Sequence, residues 1–224
     1  NVGIKIVMFN NQIYGLTKGQ YSPTSEVGKI TKSSPFGSLD HPFNPVSVAL
    51  GAEASFVGRT HDMDRKHMIE VFRRAHEHKG ASIVEIYQNC NVFNDGAYDP
   101  ILKRDNREGM MINLVHGEPV TFGAERQRGV VMGSDGQLRL VELSDVPAEH
   151  VLVHDAHRAD PSLAFALARL SHDDHSPTPF GVFRDVQRPE YAGAVADQVM
   201  AASERKGPGD LEALLRSNGT WSVT

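Results

Sequence analysis

Apolar positions along the chain cluster in short runs separated by turn-forming residues. Ile4-Lys5-Ile6-Val7-Met8-Phe9 is mostly apolar and is followed by Asn10, Asn11 and Gly15. A run this short between turn formers predicts a buried parallel strand rather than a helix. Residues 18–42 are rich in Ser, Thr, Pro and Gly without a clear period, and a long irregular stretch inside a compact domain is usually functional. Asn44-Pro45 reads as a helix cap followed by Pro at the first helical position, opening a small-residue helix that runs to about Ala52. Ala54 to Val57 suggests a short strand. Asp62 or Asp64 can cap the next helix, in which Met68, Ile69, Phe72 and Ala75 recur at helical spacing and which Gly80 closes. Residues 82–87 form another buried strand. The order strand, loop, helix, strand, helix, strand predicts an α/β fold with a central, mostly parallel sheet flanked by helices.

The pattern changes after Tyr98. Val120-Thr121-Phe122 and Gly129-Val130-Val131-Met132 flank a polar, Arg-rich connection, and Ser134-Asp135-Gly136 makes a hairpin turn into Leu138-Arg139-Leu140-Val141. Helices are expected over 161–170 and 189–203, with a last turn or two over 210–215. Residues 1–115 are therefore read as part of one domain and 116–224 as a C-terminal extension packing on that domain or on a partner subunit.

Composition narrows the class. The 224 residues are 40% hydrophobic and 23% charged, and the net charge is -5. These are ordinary values for a soluble globular domain with a sizeable core, and the slightly acidic balance argues against a nucleic-acid binder, which would usually show a basic patch. No apolar run approaches the length of a membrane span, so no membrane partner is expected. The single cysteine, Cys90, cannot form an internal disulfide, which predicts a reducing, cytoplasmic setting. The absence of a serine-hydrolase elbow, a P-loop or a dinucleotide fingerprint leaves nucleophilic serine chemistry and P-loop phosphoryl transfer unsupported.

The stretch that carries chemistry is Asn10-Asn11-Gln12-Ile13-Tyr14-Gly15-Leu16-Thr17-Lys18-Gly19-Gln20. It follows the first strand, so it lies where open α/β sheets bind ligands, at the carboxyl end. A Mg²⁺ ion holding a diphosphate needs hard oxygen ligands, and an Asn side-chain oxygen with a backbone carbonyl two residues on supplies two. Gly15 allows a close backbone approach. The amides of residues 15–17 and the Thr17 hydroxyl can donate to phosphate oxygens. A double Asn after a strand is by itself more often a plain turn.

The longer string, continuing through Tyr21-Ser22-Pro23-Thr24, resembles the second half of the thiamine diphosphate motif in the β subunits of 2-oxoacid:ferredoxin oxidoreductases. The resemblance extends through Ser33-Ser34-Pro35-Phe36-Gly37, Pro42-Phe43-Asn44-Pro45-Val46-Ser47-Val48-Ala49-Leu50-Gly51-Ala52 and Val84-Glu85-Ile86-Tyr87-Gln88-Asn89-Cys90-Asn91. It continues more loosely through Pro177-Thr178-Pro179-Phe180-Gly181-Val182-Phe183-Arg184 and residues 210–216. It implies a thiamine diphosphate-binding fold. Asn11 would give a side-chain ligand and Ile13 a carbonyl ligand to Mg²⁺, while Tyr14, Gly15, Leu16 and Thr17 line the diphosphate. The Gly-Asp-Gly that thiamine enzymes pair with the double Asn is absent, so the family's N-terminal part is expected to lie upstream of Asn1.

The same resemblance makes Cys90 the fourth ligand of a 4Fe–4S cluster, its other three cysteines expected upstream. Without it, Cys90 reads as a small buried hydrophobe. Lys18, otherwise a solvated loop cation, is placed at the edge of the diphosphate site as a point charge for coenzyme A or the substrate carboxylate. The implied reaction is oxidative decarboxylation of a 2-oxoacid, 2-oxoglutarate ahead of pyruvate, giving acyl-CoA, CO₂ and reduced ferredoxin in a heterodimer with an α subunit. The competing readings are a non-oxidative thiamine-dependent decarboxylase or synthase and a non-catalytic structural subunit of the same fold. The remaining histidines are assigned no chemistry. His61, His67, His76 and His78 are read as the wet face of a helix, His150, His154 and His157 as structural, and His172, Asp173, Asp174 and His175 as a solvated loop.

Overall fold

The computed structural model describes residues 1–170 and 176–221; the reading of His172, Asp173, Asp174 and His175 falls outside the described residues. β1 (Lys5–Asn10) leads through the short strands β2 (Ile13–Tyr14) and β3 (Gln20–Tyr21) and an irregular stretch to α1 (Pro45–Gly51). Asn44 caps α1 by accepting the Ser47 amide, with Pro45 in the first turn, as the sequence predicts. β4 (Phe56–His61), α2 (Arg65–Glu77) and β5 (Ser82–Tyr87) follow. Of the two candidate caps, Asp64 caps α2, accepting from Lys66 N and His67 N. The inner face of α2 is built on Val71 and Ala75; Ile69 is turned to solvent at 53% exposure, against the predicted stripe.

The second half contains α3 (Asp99–Leu102), α4 (Arg104–Met110), β6 (Met111–Leu114), β7 (Thr121–Phe122), β8 (Arg128–Met132), β9 (Leu138–Glu142), α5 (Ser162–Arg169), β10 (Thr178–Asp185), α6 (Tyr191–Lys206) and α7 (Leu211–Arg216). β7, β8 and β9 form the expected antiparallel sheet, with Gly136 at φ 76° in the hairpin turn. The central sheet has the order β1-β5-β4-β10-β6. β1 with β5, β5 with β4 and β10 with β6 run parallel, and β10 runs antiparallel to β4. This is the predicted α/β sheet, mostly parallel. β10 was not expected as a strand, yet seven of its eight residues are buried. It lies between β4 and β6, so the 116–224 segment is woven into the same sheet as the 1–115 segment.

The principal core joins α1, β4, β6, β7, β8, α5 and β10 through Leu50, Val57, Ile112, Phe122, Val130, Leu167 and Phe183. A second cluster packs α2 on the other face through Phe56, Val71, Val84 and Val182. The expectation that β1 is buried is corrected. It is an edge strand of these residues, with Ile6, Val7 and Phe9 exposed at 44%, 45% and 66%. The apolar run predicted burial on two faces; in this chain neither face is covered, and only Asn10 at its end is buried.

Candidate cofactor site

The carboxyl ends of β1, β5 and β4 carry a polar network inside an otherwise apolar sheet. Glu85 and Arg59 are each about 1% exposed, and their side chains pair at 2.7 Å. The other Glu85 oxygen accepts from Asn10 Nδ2 at 2.7 Å. Arg59 also donates to the Pro179 carbonyl at 3.3 Å and lies 5.1 Å from the Tyr87 ring centroid. Charges this deep persist only when paired and hydrogen-bonded, and here the pairing ties three adjacent strands together. The Asn10 carbonyl accepts from Tyr98 Oη at 2.9 Å and from Gln88 N at 2.9 Å. Burial pushes the Tyr98 phenol well above its ordinary range, so it stays protonated and donates. Tyr87 and Tyr98 stack at 4.2 Å.

Asn10 thus points inward, and the chain turns sharply after it. Gln12 adopts φ 55°, a left-handed conformation that costs a non-glycine residue and persists only where its surroundings over-determine it. They do so here. Gln12 N donates to Asn10 Oδ1 at 3.2 Å, and Asn10 Oδ1 also accepts from Thr24 Oγ1 at 2.6 Å. The Gln12 carbonyl accepts from Ser25 Oγ and from Asn94 Nδ2 at 3.4 Å. Asn11 projects the other way, half-buried. Its Oδ1 accepts from Ile13 N at 3.2 Å, its Nδ2 donates to Gln88 Oε1 at 3.4 Å, and its carbonyl accepts from Asn94 Nδ2 at 2.9 Å.

Beyond Ile13 a second turn closes, with Lys18 N donating to the Gly15 carbonyl at 3.0 Å and Gly19 N to the Tyr14 carbonyl at 3.1 Å. Lys18 takes a left-handed φ of 68°. Among the described residues, the amides of Gly15, Leu16 and Thr17 donate to no protein acceptor. Three successive open N–H groups on a tight turn are donors of the kind that anion-binding turns use. The Thr17 hydroxyl here donates to the Tyr14 carbonyl at 3.1 Å. Leu16 is 98% exposed. The bare side of Gly15 faces Phe93, whose ring would lie 3.6 Å from an added Cβ.

Cys90 sits in the loop after β5, partly buried and unbonded to another cysteine. The loop is closed by a bridge between Cys90 and Asn94, with Asn94 N donating to the Cys90 carbonyl at 2.9 Å. Asn89 pins its base by donating from its amide to Asp62 and from its side chain to Asp95, at 2.9 and 2.7 Å. The structure therefore brings the Cys90 loop against the loop of residues 11–19.

The donors present suit a diphosphate-bound Mg²⁺. Asn11 Oδ1 keeps a lone pair beyond the one taken by Ile13 N, the oxygens are hard ligands, and the three open amides supply what an anion needs. A 4Fe–4S cluster takes four thiolates, and these 224 residues contain one cysteine, so the chain's own residues do not hold a cluster by themselves. Among the described residues no group of three or more His, Cys, Asp and Glu side chains is arranged to bind a metal ion.

Sequence reasoning missed Asn10, Arg59, Glu85, Asn94 and Tyr98. The signal for Arg59 and Glu85 was available as a charged residue inside each of two apolar strand runs. The reading of His61 and His78 as part of a wet helix face is also corrected, whereas His154 is structural as expected. His61 ends β4 at 1% exposure, with neither ring nitrogen partnered among the described residues. His78 is buried between Ser55 and Asp185, at 2.9 Å from each. His154 is buried and bonded to the Val182 carbonyl at 2.8 Å. A cavity of about 480 Å³ opens beside His61 and His67, lined also by Arg107 and Arg126, and includes none of the predicted site residues.

The family described as "Thiamine pyrophosphate enzyme, C-terminal TPP binding domain" matches residues 1–86. More specifically, the chain belongs to the β subunits of 2-oxoacid:ferredoxin oxidoreductases. It is 51% identical over 225 residues to the 2-oxoglutarate oxidoreductase subunit KorB of Mycobacterium tuberculosis, the alignment covering 100% of this chain and 60% of that protein. It is 39% identical to the 2-oxoacid:ferredoxin oxidoreductase subunit beta of Saccharolobus solfataricus, over 69% of this chain and 58% of that one. The chain therefore spans about three-fifths of the length of these relatives. The 2-oxoglutarate:ferredoxin oxidoreductase of Magnetococcus marinus, solved with 2-oxoglutarate, coenzyme A and succinyl-CoA bound, superposes with a TM-score of 0.66. That match has 24% identity and covers 99% of this chain and 60% of that one; at this identity it speaks for the fold. No helix among the described residues is long and apolar enough to cross a membrane.

Proposed function

We propose that this chain carries the thiamine diphosphate-binding half-site of a cytoplasmic 2-oxoacid:ferredoxin oxidoreductase, acting on 2-oxoglutarate with coenzyme A. The observation that carries the reading is the loop at the end of β1, where a left-handed turn at Gln12 stands between Asn11 and Ile13 and is followed by three open amides. In this reading Asn11 Oδ1 and the Ile13 carbonyl hold Mg²⁺, and the amides of residues 15–17 bind the diphosphate oxygens. When bound, thiamine supplies the carbon nucleophile that releases CO₂ from a 2-oxoacid. The protein's part is to hold the charged end of the cofactor still. It does so because Asn10, Asn94 and Ser25 fix the turn before any ligand arrives. Tyr14 and the exposed Leu16 flank the diphosphate, and Lys18 offers a cation to coenzyme A or to the substrate carboxylate. Cys90 is one thiolate ligand of a 4Fe–4S cluster whose other three cysteines lie outside these 224 residues. The names of the M. tuberculosis and M. marinus relatives favour 2-oxoglutarate and coenzyme A, and the subunit names favour an α partner.

The test is anaerobic reduction of a low-potential acceptor by the complete α/β complex, with 2-oxoglutarate or pyruvate, each with and without coenzyme A. Coenzyme A-dependent reduction with 2-oxoglutarate is expected. The same result with pyruvate alone would keep the enzyme class and overturn the substrate. No reduction by either acid, in a complex holding thiamine and iron, would sink the reading.

A further inference from the structure

The Cys90 loop and the Asn11 loop are far apart in sequence, yet one side chain joins them. Asn94 is 6% exposed. Its Nδ2 donates to the Asn11 carbonyl at 2.9 Å and to the Gln12 carbonyl at 3.4 Å. Its Oδ1 accepts from Lys29 Nζ, which also pairs with Glu26 at 2.9 Å. A lysine ammonium can only donate. The amide oxygen of Asn94 must therefore face Lys29, and its NH₂ must face the two loop carbonyls. Through its own backbone the same residue closes the Cys90 turn, its N–H donating to the Cys90 carbonyl. Phe93, one residue earlier, packs its ring over the other turn. A Cβ added at Gly19 would lie 3.2 Å from Phe93 Cδ1, and at Gly15 3.6 Å from Cδ2. Glycine at both positions leaves the ring its place.

We propose that Asn94 is a positioning residue that mechanically couples the Cys90 loop to the cofactor loop, so that occupancy of the diphosphate site tightens the backbone around Cys90. The carbonyl it holds on Asn11 belongs to the residue that offers the side-chain oxygen. The other, on Gln12, belongs to the left-handed turn between the two oxygen ligands. A ligand that fixes this turn fixes the acceptors of Asn94, and with them the closure of residues 90–94. The proposal rests on the thiamine diphosphate reading of the loop.

The discriminating variant is Asn94→Asp. It preserves size and the Lys29 partner but sets an oxygen against two carbonyl oxygens; Asn94→Ala, which removes both contacts without introducing repulsion, is the second variant. In the complete α/β complex, thiamine diphosphate with Mg²⁺ would be titrated by calorimetry. Hydrogen exchange of a peptide covering residues 88–98 would be followed with and without the pair. In the wild type the exchange slows on binding. In both variants the dissociation constant is expected to rise roughly tenfold, the size of one hydrogen bond to a preorganised turn. Exchange at saturating cofactor is expected to stay at its unliganded rate. Variants that bind normally, or that bind weakly but still slow their exchange at saturation, would overturn the coupling. A wild-type complex that does not bind the pair would instead overturn the reading of the loop itself.

Discussion

The end of the sheet around Asn10 and the C-terminal helices α6 and α7 are built on opposite principles. At Asn10 every polar group is committed. Glu85 serves Arg59 and Asn10, Asn10 serves Gln12, Thr24, Gln88 and Tyr98, and Gln12 is held from three sides. In α6 and α7 every residue is exposed, although Val195, Val199, Leu211, Leu214 and Leu215 lie along them. Those helices are held by their caps. Glu190 accepts from Ala192 N and Gly193 N, and Asp210 accepts from Ala213 N. A polar residue at the first place specifies geometry through the tertiary fold. An apolar residue at the second contributes little to it.

The sharpest way to break the first region is Glu85→Leu. It leaves Arg59, 1% exposed, without its carboxylate, and losing one partner of a buried pair costs about 3–5 kcal/mol. It also releases Asn10 Nδ2. Urea unfolding of the complex should report that loss, and weakened binding of thiamine diphosphate should accompany it. A core substitution such as Val71→Ala, on α2 and away from the loop, should cost about 2 kcal/mol in stability while leaving binding unchanged. Equal loss of binding in both would remove the special role of the network.

How much of this was legible in the sequence follows from the same contrast. Local signals were enough for the Asn44-Pro45 start of α1 and for a cap of α2 at Asp62 or Asp64, because a cap depends on residues within four positions of one another, and the apolar run was enough for the strand over 82–87. The Asn10–Asn11 pair marked the loop but could not say which Asn faces inward, since that is decided by Glu85, 75 residues away. β10 carries Pro179 and Gly181, residues that local propensity disfavours in a strand; its neighbours β4 and β6 override that, and Gly181 takes φ 120° where an added Cβ would meet the Leu114 carbonyl at 2.6 Å. The histidines escaped because spacing along a helix says nothing of a strand end such as His61.

Those histidines give a pH test of intermediate size. Burial holds His61, His67 and His154 below the ordinary imidazole range, so the folded form keeps them neutral. Unfolding frees imidazoles that take up protons below about pH 6.5. The unfolded state then binds more protons, and stability falls as pH drops through that window, by at most about 1.4 kcal/mol per pH unit for each histidine. Unfolding measured from about pH 7.5 to about pH 5 should show this slope. His61→Phe, beside Phe180 at a centroid distance of 5.1 Å, should flatten it. An unchanged slope would mean that His61 does not contribute to the acid sensitivity.

The smallest effect is expected in the second region. Val199 is 60% exposed and Leu214 68%, so neither loses much water contact on folding, and the hydrophobic gain scales with the area removed from water. Val199→Ser and Leu214→Ser should therefore shift the unfolding free energy of the isolated β polypeptide by no more than about 0.5 kcal/mol. Both serines are no better helix formers than the residues they replace, so any rise in helix content cannot offset a packing loss. If either substitution costs as much as a core truncation, the apolar side of these helices is covered in solution and the contrast with the Asn10 network fails. If both are silent, the fold is carried by the sheet and its buried polar end, and the helices after Glu190 contribute only what their caps and backbone hydrogen bonds supply.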